Sequence, residues 1–170
     1  MELANWANET SVSEIMVENI LTLSPNDSLA TAAEKLLREQ ISGAPVVDDS
    51  GRCVGVLAMS DLTRAEGKPA EQQQTTQNRF FDFGMTLPSR EDTTRLEQFR
   101  DKVLVASERS VGHFMTTDLV NVRSDATLAA VVRYIIDSHV HRVLVLDKDE
   151  HIKGIVSTID ILAALKRAIQ

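Results

Sequence analysis

The sequence predicts a mixed α/β (α+β) fold built from two tandem β-α-β-β-α repeats that together form one module with pseudo-two-fold symmetry. Three observations predict it. Residues 12–65 lie over residues 111–164 without a gap, at an offset of 99. Each copy carries one stretch with apolar residues at helical spacing. Two β-branched runs follow that stretch in each copy, joined by a polar turn.

Taken in order, each copy opens with a short helical turn ending at a methionine, residues 12–16 and 111–115, and then a short strand at 20–23 or 119–122. A helix follows, because Leu29, Ala32, Ala33, Leu36 and Leu37 fall at i, i+3, i+4, i+7 and i+8, and Leu128, Val131, Val132, Ile135 and Ile136 repeat the pattern. Ser28 and Thr127 stand just before these stripes and are the expected N-caps. Strands at 44–47 and 53–57 are joined by DDSG, and strands at 143–146 and 152–156 by DKDE. A last helix begins near Ser60 in one copy and Ser157 in the other. A unit of about fifty residues buries too little surface to be stable alone, so the two copies are expected to cover each other.

The division read from this pattern is an N-terminal extension at 1–11, a first repeat at 12–65, a connecting stretch at 66–110 and a second repeat at 111–170. The connection starts polar and Gln-rich, as a flexible linker would, and then concentrates aromatics in RFFDFGM. A helix at 91–102 and a short strand at 103–106 are expected within it.

Composition removes several function classes. The chain has 170 residues, 43% hydrophobic and 25% charged, with a formal net charge of -7. Such an acidic balance lacks the basic face that displaces counterions from nucleic acid, and it disfavours anionic membrane. No apolar run approaches the length of a membrane span, and MELANWANET has neither a basic start nor an apolar stretch, so a cytoplasmic protein is expected. The single cysteine, Cys53, reads as a small core residue. No Ser-His-Asp spacing, phosphate-loop lysine or paired-carboxylate motif points to turnover, so neither a catalytic residue nor a required cofactor is expected.

One stretch carries candidate chemistry. Ser157 stands three residues before Asp160 where strand pattern gives way to helix, and His141 and Arg142 enter the preceding strand. Unpaired N–H groups at a helix start attract phosphate, a serine hydroxyl can donate, and a carboxylate can accept from sugar hydroxyls. The same Ser-x-x-Asp also fits a capping box, and both roles can hold at once. His139 and His141 alternate but have no third ligand at metal spacing, so no metal site is expected. Residues 147–150 read as a solvated acidic turn, with magnesium binding as the alternative.

A duplicated β-α-β-β-α unit ending in Gly-apolar-apolar-Ser-x-x-Asp resembles a cystathionine-β-synthase (CBS) domain pair. The second copy, with HR before an apolar strand and then KGIVS-x-x-DIL, is similar to the adenine-nucleotide-sensing γ subunit of AMP-activated kinase. The resemblance implies a free-standing regulatory module, a homodimer, that binds AMP, ADP or ATP between the repeats and signals to a protein partner. The alternative is a ligand-free dimerisation and docking module. Carried over by position, Asp160 would hold ribose, Ser157 would lie near sugar or phosphate, and His141 and Arg142 would reach phosphates. Leu21, Ile41 and Ser42 would face the base. The corresponding cleft on the first copy, with Asp61, Ser60, Leu119, Val120 and Val140, is expected to be weak or empty, because Ala58 and Gly43 stand where Ser157 and Arg142 stand in the second.

Overall fold

The computed structural model describes residues 3–64 and 109–170. The elements, in chain order, are helix α1 (Leu3–Glu9), a 3-10 turn (Val12–Glu14), α2 (Leu29–Glu39), β1 (Gly43–Val47), β2 (Cys53–Ala58) and α3 (Met59–Arg64). After the connection come a second 3-10 turn (Val111–His113), β3 (Asn121–Arg123), α4 (Leu128–Asp137), β4 (Arg142–Leu146), β5 (Ile152–Ser157) and α5 (Thr158–Ala168). The linker, the RFFDFGM cluster and the helix and strand expected at 91–106 lie outside the described residues.

Two compact units form, and they exchange the leading segments of the repeats. The first comprises Met1–Ile20, Gly51–Cys53 and Leu119–Gln170. Its sheet runs β3-β4-β5, with β3 parallel to β4 and β4 antiparallel to β5. Against it lies the lead of the first repeat: Val12 N–H donates to Ala126 O (2.9 Å), Leu128 N–H to Thr10 O (2.9 Å), and Val17 bridges Ile155. The α4 stripe buries Leu128, Val131 and Ile135, while β4 buries Val143, Leu144, Val145 and Leu146. Helix α1, which the repeat pattern did not foresee, packs on α4.

The second unit comprises Leu21–Ser50 and Val54–Asp118, with β1 paired to β2. The mirror contacts recur at the 99-residue offset: Val111 N–H donates to Asp27 O (2.9 Å), Leu29 N–H to Arg109 O (2.9 Å), and Val56 bridges Thr116. Leu23, Leu29, Leu36, Val46, Leu57, Leu62 and Val111 form one buried cluster. Both expected caps are present, Ser28 accepting from Thr31 N–H and Thr127 from Ala130 N–H.

Two strand expectations need correction. The strand expected at 20–23 is reduced to a single parallel bridge between Leu23 and Val46. In the second copy the ladder continues because Ser124 N–H donates to Leu146 O (2.9 Å), whereas Pro25 occupies the equivalent place and has no N–H to give. The strand expected at 119–122 is shifted to Asn121–Arg123.

Candidate functional site

The antiparallel register of β4 and β5 pairs Arg142 directly with Ser157, so their side chains leave the same face of the sheet as cross-strand neighbours. Thr158 N–H donates to His141 O (2.9 Å), which ties the residue before β4 to the first residue of α5. Ser157 caps α5. Its hydroxyl lies 3.4 Å from Asp160 N, and Asp160 Oδ2 accepts from Ser157 N–H (2.8 Å) and Oγ–H (2.6 Å). One carboxylate oxygen is thus committed to the cap. The other, Oδ1, has no protein partner among the described residues, and Asp160 is partly exposed. Burial lowers the pKa of the half-buried Arg142 guanidinium, which remains cationic at any physiological pH. The fold therefore gathers His141, Arg142, Ser157 and Asp160 at one helix N-terminus, with a fixed cation, a hydroxyl and an open carboxylate oxygen. Such a set suits a ligand carrying both phosphate and vicinal hydroxyls.

The equivalent place in the second unit is built differently. Asp61 Oδ2 accepts from Ala58 N–H (2.8 Å) as Asp160 does from Ser157, but Asp61 is only 4% exposed and the adjacent Ser60 1%. Ser42 O accepts from Met59 N–H (2.9 Å), the counterpart of the His141 contact, and Gly43 opens β1 where Arg142 opens β4. Leu21 and Ile41 pack on the buried cluster of this unit. In the first unit, Val120 O accepts from Leu144 N–H (3.1 Å), Leu119 precedes it, and Val140 is buried with its N–H on Ile135 O.

None of the candidate site residues named from the sequence lines the depression of about 480 Å³ in the first unit, which is formed by Met16, Glu18, Asn19, Ile20, Ile152 and Lys153. A signal for this close approach did exist. Gly154 and Gly55 recur in the two copies, and a Cβ on Gly154 would sit 2.6 Å from Val17 O, so glycine lets the lead segment lie against β5. The left-handed backbone of Asn19 (φ 53) then turns the chain away.

Residues 147–150 form an exposed turn, as expected, and it is held by the Asp147 carboxylate. Asp147 Oδ1 accepts from Asp149 N–H (2.9 Å) and His151 N–H (3.0 Å), and His151 Nδ1 lies 3.5 Å away. Desolvation raises the Asp147 pKa, but these N–H donors and the charges of His151 and Lys153 outweigh it and hold the carboxyl below its ordinary value. Asp147, Asp149 and His151 each place one potential ligand atom within 4.8 Å of the others. His139, by contrast, sits in the left-handed conformation (φ 53) at the exit of α4, so strand alternation with His141 does not apply to it.

Comparison with known proteins bears directly on this duplicated arrangement. The sequence model of the CBS domain matches residues 12–68 and 111–167. The chain belongs to the CBS-domain family. As a CBS pair it is similar to uncharacterized protein MJ1426 of Methanocaldococcus jannaschii, 25% identical over 162 residues that cover 91% of this chain and 90% of that protein. It is 26% identical to CBSX2, a chloroplastic CBS domain-containing protein of Arabidopsis thaliana, over 86% of this chain and 59% of the relative. The crystal structure of CBSX2 in complex with AMP shares the CBS-pair fold with a TM-score of 0.65 at 21% identity, covering 95% of this chain and 99% of that one. The CBS domain pair of protein MJ0100, in complex with 5'-methylthioadenosine and S-adenosyl-L-methionine, aligns with a TM-score of 0.61 at 19% identity, over 94% and 98%. Among the described residues no helix of this CBS pair is long and apolar enough to cross a membrane.

Proposed function

We propose that this CBS pair is a non-enzymatic regulatory module that binds an adenosine nucleotide of the AMP, ADP or ATP class at the N-terminus of α5 and signals to a protein partner. The observation that carries the reading is the pairing of Arg142 with Ser157 beside an Asp160 carboxylate whose Oδ1 stays open. Asp160 accepts from the ribose hydroxyls, Ser157 and the α5 N-terminus receive the sugar-phosphate end, and Arg142 and His141 neutralise phosphate. The AMP complex of CBSX2 and the S-adenosyl-L-methionine complex of the MJ0100 pair, both of this fold, support an adenosine-containing ligand. Signalling follows only if the ligand favours one arrangement of the protein over another, by as much as its affinities for the two differ.

Titration calorimetry of nucleotide-stripped protein with AMP, ADP, ATP and S-adenosylmethionine tests the reading, with thermal unfolding beside it. A ligand at a hundred times its dissociation constant stabilises the native protein by about 2.7 kcal/mol. Asp160→Ala abolishes the heat of binding, and Asp61→Ala leaves it in place. If folded wild-type protein binds none of the four, the docking-module reading replaces this one; equal losses from both substitutions would contradict the assignment to α5.

A further inference from the structure

We propose that the depression beside β5 in the first unit binds a free α-amino acid with an apolar side chain of leucine or methionine size, as a ligand separate from the nucleotide at α5. The cavity arises where two chain segments part. Val17 and Ile155 exchange N–H···O bonds (2.9 and 3.0 Å), after which the left-handed backbone of Asn19 (φ 53) takes the lead segment away while β5 runs back towards Ile152. The wedge between them is the depression of about 480 Å³, within the range of about 300–1,000 Å³ that small-molecule sites occupy. Its other wall is set by a bulge. Val145 faces Gly154 and Leu146 faces Ile152, so Lys153 is the extra residue in the ladder of β4 and β5. In a regular strand Ile152 and Lys153 would face opposite sides of the sheet; here both line the depression.

The lining has the three parts that an amino acid needs. Lys153 offers an ammonium to the ligand carboxylate, Glu18 a carboxylate to the ligand ammonium, and Asn19 an amide that serves either. Met16, Ile20 and Ile152 supply an apolar bed for the side chain, and the unbranched methionine adapts to its shape. Among the described residues neither Glu18 nor Lys153 closes an ion pair with the protein, although the Lys153 charge acts on Asp147 through space. Opposite charges in one depression favour a zwitterion, because a simple anion or cation would meet one group of its own sign. The pair belongs to this unit. At the 99-residue offset Thr117 stands in place of Glu18, and Val54, which packs on the buried cluster of the second unit, in place of Lys153.

NMR titration of the amide signals of the full chain, without nucleotide, tests the proposal with L-leucine, L-methionine, glycine and the α-keto acid of leucine, each taken to about 20 mM. Leucine and methionine bind saturably, and the amides of Glu18, Asn19, Ile152 and Lys153 shift. Glycine, which lacks the side chain, and the keto acid, which lacks the ammonium, each bind about tenfold or more weakly. Lys153→Met and Glu18→Gln each weaken leucine binding about tenfold or more. Their circular dichroism stays native, because both side chains are exposed. The absence of a saturable shift with leucine or methionine would overturn the proposal, as would shifts confined to other residues. Leucine binding untouched by either substitution, or glycine or the keto acid binding as tightly as leucine, would overturn it too.

Discussion

Replacing Gly154 by alanine isolates the contact that joins the lead of one repeat to the sheet of the other. The added Cβ would lie 2.6 Å from Val17 O and 3.1 Å from Met16 Cγ and Sδ. Two responses are open to the chain. If the lead segment stays in place, the overpacking costs about 1–3 kcal/mol. If it withdraws, the reciprocal bonds Val17 N–H to Ile155 O (2.9 Å) and Ile155 N–H to Val17 O (3.0 Å) are lost. Two such bonds amount to about 2 kcal/mol. Alanine returns about 0.5–1 kcal/mol through the reduced entropy of the unfolded chain, which leaves a net loss of about 1–2 kcal/mol. Gly55→Ala is the internal control. Its Cβ would meet chiefly the Met115 side chain, with Sδ at 2.6 Å, and Thr116 O at 3.1 Å. A flexible thioether can swing aside, so the net change there is about 0.5 kcal/mol or less. Urea unfolding of the two variants and the wild type at 25 °C reads the difference directly. Equal losses at the two glycines, or a Gly154→Ala protein as stable as wild type, would refute the claim that the Val17 backbone sets the limit.

Two further stability predictions follow from single side chains. Leu36 is fully buried in the second unit, and Leu36→Ala should cost about 2–5 kcal/mol in the same assay; a loss below 1 kcal/mol would show that this core can collapse around the gap. Burial raises the Asp27 pKa, but the hydrogen bond and charge of Lys35 (2.8 Å) and the Ser24 N–H (3.0 Å) prevail and hold it below the ordinary value. A depressed carboxylate stabilises the fold above the unfolded-state pKa, and that contribution fades as pH falls through the lower, folded value. The gap in stability between wild type and Lys35→Met is therefore expected to be constant near neutrality and to shrink below about pH 4. A gap unchanged down to pH 3 would contradict the assignment.

The helices and strands were legible because each rests on a local pattern: five apolar positions at helical spacing, a serine or threonine at the cap, and β-branched runs around a turn. The lost first strand was legible in principle, since Pro25 stands where its partner repeat uses the Ser124 N–H. What periodicity could not reveal is non-local. The exchange of leading segments depends on Val17 meeting Ile155 across more than a hundred residues, and only the recurrent Gly55 and Gly154 hinted that something approaches those strands closely. Nor could residue order tell that Asp61 is buried while Asp160 is partly open, because exposure is set by what packs around each helix.

The comparison of the two repeats also sorts structural from chemical residues. Positions that the fold needs twice are the same twice: Leu29 and Leu128 fill a core, Gly55 and Gly154 admit a neighbouring backbone, and Asp61 and Asp160 accept the N–H three residues before them. Capping therefore accounts for an aspartate in both copies and cannot by itself argue for a ligand. The differences carry more weight. A β-strand opens as well on Gly43 as on Arg142, and a helix can start after Ala58 as it does after Ser157, at a cost of about 1 kcal/mol. The described residues place a half-buried guanidinium beside a hydroxyl at one helix start and not at the other, and a cation is costly to hold away from water. The second repeat keeps that cation and that hydroxyl at the helix start whose aspartate is partly exposed, and this difference between the copies is what supports reading α5 as the ligand-binding end.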